Sequence, residues 1–372
     1  MSARFVLPSL IVVKVGSSSL RDTAGLLDHA QVRALSSQVA RLRAAGVQVV
    51  VVSSGAVAAG MGRLGLSARP TDTPTLQAAA AAGQSALVQA YQQVLDEHGL
   101  VGAQLLLSQD DFVIRRRYLN ARTALRRLLE LGSVPIINEN DAIATDELTY
   151  GDNDHLAALV ASMLGAGLLV LLSDVEGMLD RPPTESGATL VRVVSDPDAI
   201  DLDRIGGAGS VVGSGGMRTK IGAAQVAIRS GMHVVIADAR RSDVITDVAR
   251  GEDVGTWFVA REGRIEARRL WIAFALRVRG RVHIDAGAVR ALRGGAASLL
   301  GVGVSGCDGM FAAGDAVEVV GPDGTSVARG LVAYDAPDVA RLAGLATDVA
   351  VAALGSGFGR EVIHRDDLAV LA

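Results

Sequence analysis

Between residues 10 and 260, short apolar runs alternate with longer stretches of helical periodicity, and this alternation constrains the fold more than any other feature of the chain. The runs at 10–15, 47–52, 101–107, 134–137, 168–172 and 233–237 are too short for helices and too continuously apolar for half-exposed strands. Segments 29–45, 76–98, 118–131, 153–164 and 219–230 carry helical composition, and Gly46, Gly99, Gly132 and Gly231 stand where helices end on a left-handed residue. Apolar strands separated by helices predict an open, mainly parallel α/β sheet sandwiched by helices. In such sheets ligands bind beyond the carboxyl ends of the strands. Four small or polar clusters follow predicted strands and are the places to look: Lys14 to Ser18, Ser53 to Ala56, Asn138 to Asp141, and Ser173-Asp174.

After about Trp257 the pattern changes. A charged stretch, 261–269, leads into short strand-like runs punctuated by glycine, among them 316–320 and 326–328, joined by Gly321-Pro322-Asp323-Gly324 as a hairpin. With 372 residues the chain has room for two domains. We expect one at 1–262 and a small β-rich module at 277–372, with the boundary in 262–277. The apolar stretch 5–13 is bracketed by Pro8 and Lys14 and reads as a first strand rather than a leader. The uncharged stretch 156–172 is divided by Ser162, Gly165 and Gly167 into a helix and a strand, so no membrane span is expected. Cys307 is the single cysteine, which excludes an internal disulfide and a cysteine-rich zinc site and fits a reducing cytoplasm. The six histidines are dispersed, and no metal site is expected.

Only two of the 36 Lys and Arg residues are lysines, Lys14 and Lys220. Both lie beside segments rich in glycine and serine, where a compact three-donor ammonium serves a purpose that a planar guanidinium does not. Lys14 falls inside an apolar strand, and a buried ammonium requires an anion. A structural ion pair is the ordinary reading; Gly16 to Ser19 favour a phosphate. Gly213 to Lys220 lacks the spacing of a P-loop but opens directly into a helix, which favours phosphate contact over a plain linker. Ser54 stands at a helix start suited to a carboxylate, and Gly151-Asp152-Asn153-Asp154 gathers more acid than a helix cap needs, enough to hold an ammonium group or order nearby lysines. No Ser-His-Asp, kinase H-R-D or nucleophilic cysteine pattern is present. A carboxylate acceptor needs none of these, being ionised already at neutral pH.

The segments IVVKVGSSSL (11–20), VVVVSSGAVAAG (49–60), VPIINENDAIAT (134–145), GDNDHLAALVA (151–161), LLVLLSDVEGML (168–179) and GSGGMRTKIGAA (213–224) resemble, in order, the glutamate 5-kinase branch of the amino acid kinase family. IDAGAVRAL (284–292), GAASLLGVGV (295–304) and GDAVEVVGPDGTSVARGLVAY (314–334) are similar to a PUA domain. The resemblance implies transfer of the ATP γ-phosphate, with Mg²⁺, to the γ-carboxylate of L-glutamate, the first step of proline biosynthesis, with proline as inhibitor, in a cytoplasmic homo-oligomer. It assigns Lys14, Lys220 and Asp154 to catalysis, and Ser54, Asn138, Asp141, Asp152 and Asn153 to the substrate. To the nucleotide it assigns Lys14, Ser173, Asp174, Ser214, Gly215, Gly216, Met217, Arg218, Thr219 and Lys220. The family often has threonine at position 173 and an aromatic residue at 179, where this chain has Ser173 and Leu179. Related kinases acting on acetylglutamate, aspartate or carbamate are the nearest alternative, and the GDND motif and the second module argue against them. RNA binding ranks low, because residues 276–372 hold nine arginines, no lysine and eleven acids, where an RNA footprint is basic.

Overall fold

Three of the apolar runs, LIVVKV, QVVVVS and LLVLLS, become the central strands of the sheet that carries the site. The computed structural model describes residues 6–108, 110–143, 153–201, 216–261, 269, 272–273, 276, 278–295 and 297–371. The chain divides into two compact units, Met1–Arg264 and Ile265–Ala372. Most of 262–277, where the boundary was expected, lies outside the described residues.

In the first unit, β1 (Leu10–Val15), β2 (Gln48–Ser53), β3 (Gly102–Leu107), β4 (Val134–Glu139), β5 (Leu168–Ser173), β6 (Val193–Val194), β7 (His233–Asp238) and β8 (Thr256–Phe258) form one eight-stranded sheet. Its order is β3-β4-β2-β1-β5-β7-β8-β6. All pairings are parallel except β7 with β8. β1 is buried along its whole length, with Lys14 in register between Val52 of β2 and Leu171 of β5. The carboxyl ends of β1, β2, β4 and β5 therefore share one edge, and that edge holds the four polar clusters.

The covering helices are α1 (His29–Ala44), α2 (Ala56–Leu64), α3 (Thr73–Asp96), α4 (Asp110–Val113), α5 (Arg115–Glu130), α6 (Asn153–Leu164), α7 (Met217–Arg229) and α8 (Val244–Ala249). Side-chain caps start α1 and α3: Asp28 accepts from the Gln31 N–H, and Asp72 from the Thr75 N–H with Pro74 in the first turn. This carries α3 three residues further toward its N-terminus than periodicity predicted. α6 buries nearly every residue, and its apolar run ends at Gly165, whose left-handed backbone turns the chain into β5. The uncharged stretch 156–172 is thus a helix and a strand, and among the described residues no helix is long and apolar enough to cross a membrane.

α4 and α8 were not anticipated, and of α2 only the helix start at Ser54 was. α2, with Gly60 and Gly62 inside it, has weak intrinsic propensity. It forms because glycine lets it lie against α3 with backbones touching. A Cβ on Gly83 of α3 would stand 1.8 Å from the carbonyl oxygen of Ala56, and one on Gly60 at the same distance from that of Ala79.

The second unit has its own five-stranded sheet, order β10-β9-β11-β12-β13, with β9 (Gly280–Ile284), β10 (Val304–Gly309), β11 (Ala316–Val320), β12 (Ser326–Leu331) and β13 (Leu368–Val370). β11 and β12 form the expected antiparallel hairpin, and β12 runs three residues past its predicted end. Helices α9 (Ala286–Arg293), α10 (Ala336–Leu342) and α11 (Thr347–Leu354) accompany it, around a core that includes Val282, Val317, Val319, Val327 and Leu368.

Because the atom in the way at Gly83 is backbone, no rotamer relieves a substitution. Gly83→Ala should lower the free energy of unfolding by about 1–3 kcal/mol or more. Urea denaturation checks this, and an unchanged midpoint would contradict the close helix contact.

Candidate active site

Lys14, Asp154 and Lys220 come from β1, the first turn of α6 and the first turn of α7, and all three are buried. Lys14 Nζ lies 2.5 Å from Asp154 Oδ1, and Lys220 Nζ 3.2 Å from Oδ2. The Thr219 hydroxyl donates to the same Oδ2 at 3.0 Å and also lies 2.9 Å from the Gly216 carbonyl, so it ties the start of α7 to the carboxylate. Burial alone would raise the Asp154 carboxyl. The Lys14 and Lys220 charges, with hydrogen bonds from Lys14 and Thr219, outweigh it and hold the group down at about 2. Asp154 therefore stays ionised throughout the neutral range. Its place in the first turn of a helix adds a favourable dipole.

The second cluster is made of neutral polar groups. β2 ends in Ser53, whose Oγ sits 2.9 Å from the buried Tyr91 hydroxyl. Burial pushes the Tyr91 phenol up to about 12, with the Ser53 hydrogen bond opposing, so it remains neutral. The Ser54 N–H then donates to the Val15 carbonyl at 3.1 Å, and Gly55, with φ of 103°, turns the chain into α2. Asn153 Nδ2 donates to Ser54 Oγ at 2.8 Å and to Asn138 Oδ1 at 3.0 Å. Residues 54, 138 and 153 are distant in sequence and meet because β2, β4 and α6 end on one edge.

Asp141 lines an open cleft together with Ser17, Arg21, Ser54, Arg69 and Asn153. Burial pushes its carboxyl up to about 6, with Arg69 opposing. At the end of β5 the Ser173 hydroxyl donates to Asp174 at 3.1 Å, and Gly16 N–H bonds the Leu172 carbonyl at 3.2 Å, joining the Lys14 loop to that strand end. Gly216 caps α7, and Met217, Arg218, Thr219 and Lys220 form its first turn. Asp152, Ser214 and Gly215 lie outside the described residues. Leu179 is half-buried and pairs with Leu190 in an isolated bridge.

Sequence reasoning missed Arg21, Arg69, Gln84 and Gln104. Gln84 and Gln104 extend the neutral cluster away from the cleft. The two arginines carried no signal in a chain where arginine occupies most basic positions, and Gln84 fell within the helical segment 76–98 with nothing to single it out. Among the described residues no group of three or more His, Cys, Asp or Glu side chains gathers as metal ligands.

A helix-covered parallel sheet with two buried ammonium groups on one carboxylate at its carboxyl edge defines a class: an α/β protein built to handle an anion beside a polar cleft. Comparison with known proteins sharpens this. Residues 9–238 match the amino acid kinase family and residues 280–351 the PUA domain. The glutamate 5-kinase of Frankia casuarinae is 50% identical over 362 residues, 97% of this chain and 96% of that protein. That of Marinomonas sp. is 48% identical over 363 residues, 97% of each, and that of Pseudomonas putida strain W619 is 46% identical over 361. The chain belongs to the amino acid kinase family, within the group of glutamate 5-kinases that carry a PUA domain.

The raised Asp141 pKa has a signed consequence for stability. Its folded value lies above the ordinary 3.8, so the folded state holds the proton more tightly, and stability falls as pH rises from about 4 to about 6. Relative to Asp141→Asn, the wild-type protein should lose unfolding free energy across that interval and change little above it. Urea titrations at half-unit pH steps measure the difference, and a flat difference would remove the shift.

Proposed function

We propose that the protein transfers the γ-phosphoryl group of ATP to the γ-carboxylate of L-glutamate, giving L-glutamyl 5-phosphate for proline biosynthesis. The observation that carries this reading is the Lys14–Asp154–Lys220 cluster beside the Ser54–Asn138–Asn153 cluster, in a chain whose near-full-length relatives are glutamate 5-kinases.

In this reading the acceptor carboxylate needs no base, and catalysis consists of alignment and neutralisation of charge. Lys14 and Lys220 meet the phosphoryl oxygens as charge develops on them, and Asp154 holds both ammonium heads in place. Ser54, Asp141, Asn153 and the adjacent Asn138 and Asp152 hold the main-chain end of glutamate. Ser173, Asp174 and residues 214–220 serve the nucleotide. Both oxygens of Asp154 are engaged by Lys14, Lys220 and Thr219, which suits a Mg²⁺ ion that arrives with ATP and keeps phosphate and water ligands. Such an ion supplies neutralisation of the phosphate charge. A cytoplasmic homo-oligomer is the form expected of the protein.

Hydroxylamine attacks an acyl phosphate, displaces phosphate and leaves a stable hydroxamate. With ATP, glutamate should give hydroxamate while aspartate and N-acetylglutamate give none; signal only with one of the latter would transfer the assignment to that acceptor. Lys14→Arg and Lys220→Arg should each lower kcat by about 10²–10³, the usual cost of losing one preorganised transition-state donor. Near-normal turnover in either variant would remove the role of that lysine.

Proline inhibition belongs to the same proposal. Proline offers the α-carboxylate and α-nitrogen of glutamate without a γ-carboxylate, so the cleft beside Ser54, Asp141 and Asn153 accepts it as a dead-end occupant. Over a glutamate-by-proline grid of initial rates, rising glutamate should relieve inhibition. Inhibition that persists at saturating glutamate would place proline elsewhere, and none at millimolar proline would end the idea.

A further inference from the structure

The neutral cluster is a chain of side-chain amides whose direction is set by one backbone unit. Glu139 N–H can only donate, and it donates to Asn138 Oδ1 at 2.9 Å. Asn138 must therefore turn its Nδ2 the other way, toward Gln84 Oε1 at 3.4 Å. Gln84 Oε1 also accepts from Gln104 Nε2 at 3.0 Å, and Gln84 Nε2 faces the Glu139 carbonyl, which can only accept, at 3.5 Å. Both backbone groups of Glu139 thus agree on the same orientation. Toward the cleft, Asn138 Oδ1 takes its second hydrogen bond from Asn153 Nδ2, which also donates to Ser54 Oγ. Every amide orientation then follows, and so does the terminus. Asn153 Oδ1 is buried with no hydrogen-bond partner among the described residues, although Asn153 itself is only 5% exposed and lines the cleft. A buried acceptor of this kind is costly unless a ligand supplies a donor.

We propose that Gln84 is a positioning residue that, together with the Glu139 backbone, fixes the polarity of this amide chain, so that its substrate end presents Asn153 Oδ1 as an acceptor for the α-ammonium group of an amino acid. The proposal rests on the glutamate reading given above and names how the site tells an amino acid from its keto analogue. 2-Oxoglutarate matches glutamate in both carboxylates and chain length but carries an acceptor where glutamate carries donors. Set against Asn153 Oδ1, its carbonyl oxygen meets another acceptor. Without Gln84, only the N–H of its own neighbour holds Asn138, so the two asparagine amides can turn together at the cost of that one bond, and Asn153 Nδ2 then meets the keto group.

The test compares binding of glutamate and of 2-oxoglutarate by calorimetry, which needs no turnover, in wild type, Gln84→Leu and Gln84→Glu. The glutamate variant keeps an acceptor oxygen for Asn138 and Gln104. Gln84→Leu should weaken glutamate about fivefold and narrow the preference over 2-oxoglutarate about threefold or more, the scale of one hydrogen bond, with kcat at saturating glutamate within about twofold. Gln84→Glu should restore most of both. Gln104→Ala, at the one exposed position of the edge strand β3, should shift the preference in the same direction by less and guards against a failure of the Gln84 variants to fold. Parallel weakening of both ligands would mean a structural role only and would overturn the proposal, as would a wild-type protein that binds the two equally. The hydroxamate assay decides the glutamate reading separately, so the two failures are distinguishable.

Discussion

The Lys14–Asp154–Lys220 cluster is the interaction on which the rest of the first unit depends. Taking ions of this size out of water costs several kcal/mol each, and only close pairing offsets it. The pairing can form only if β1, α6 and α7 end within a few ångströms of one another, so the cluster ties together elements separated by about two hundred residues of chain. The parallel sheet makes that possible: β1 is central, flanked by β2 and β5, and its carboxyl end is where α6 and the Gly16 loop converge. A sheet with β1 at an edge would expose Lys14 to water and leave Asp154 without a reason to be buried.

The same cluster accounts for the unequal use of lysine and arginine. On the surface of this protein the cation's shape is of little consequence, and arginine serves: Arg33 with Glu97 and Arg229 with Asp198 are bidentate or near-bidentate pairs. Between two helix starts and a strand, a planar fork engages both oxygens of a carboxylate rather than meeting one of them at 2.5 Å and keeping donors for a further group. An ammonium, with three donors about a point, does both. Composition therefore pointed to the two lysines of the cluster before any motif did.

The parallel sheet and the strand-end clusters were legible because burial on both faces leaves a continuous apolar signature. Lys14 and Lys220 stood out by scarcity, the strand-end and helix-start clusters drew in Ser54, 138–141, 151–154, 173–174 and 213–220, and the resemblance gave each residue its expected role. What was not legible has physical reasons. α2 is held by a backbone contact with α3 through Gly60 and Gly83, and glycine looks the same in a turn as in a helix crossing. Gln84 lies two hydrogen bonds from the cleft, on a helix face buried among residues such as Ala80, Leu87 and Tyr91, and nothing local distinguishes it from a tolerated polar residue. Arg21 and Arg69 reach the cleft from loops, where periodicity gives no direction for a side chain.

Asn153 and Asp154 are consecutive residues at the start of one helix, yet they serve different clusters. Asn153 joins the amide chain from β4 and the Ser54 turn, whereas Asp154 joins the ammonium groups of β1 and α7. α6 is buried along almost all of its length, so neither residue can move without the other. On the proposed reading this makes the helix start a ruler: the main-chain end of the substrate is placed by residue 153, and the carboxylate that receives phosphate by the lysines that residue 154 holds. Glutamate and aspartate present identical groups to both clusters and differ only in the distance between them. A fixed spacing of this kind selects by length, because an acceptor one methylene short, anchored at its ammonium, cannot bring its oxygen into line with the phosphoryl group, and misplacement of about 1 Å is enough to cost about 10² in rate.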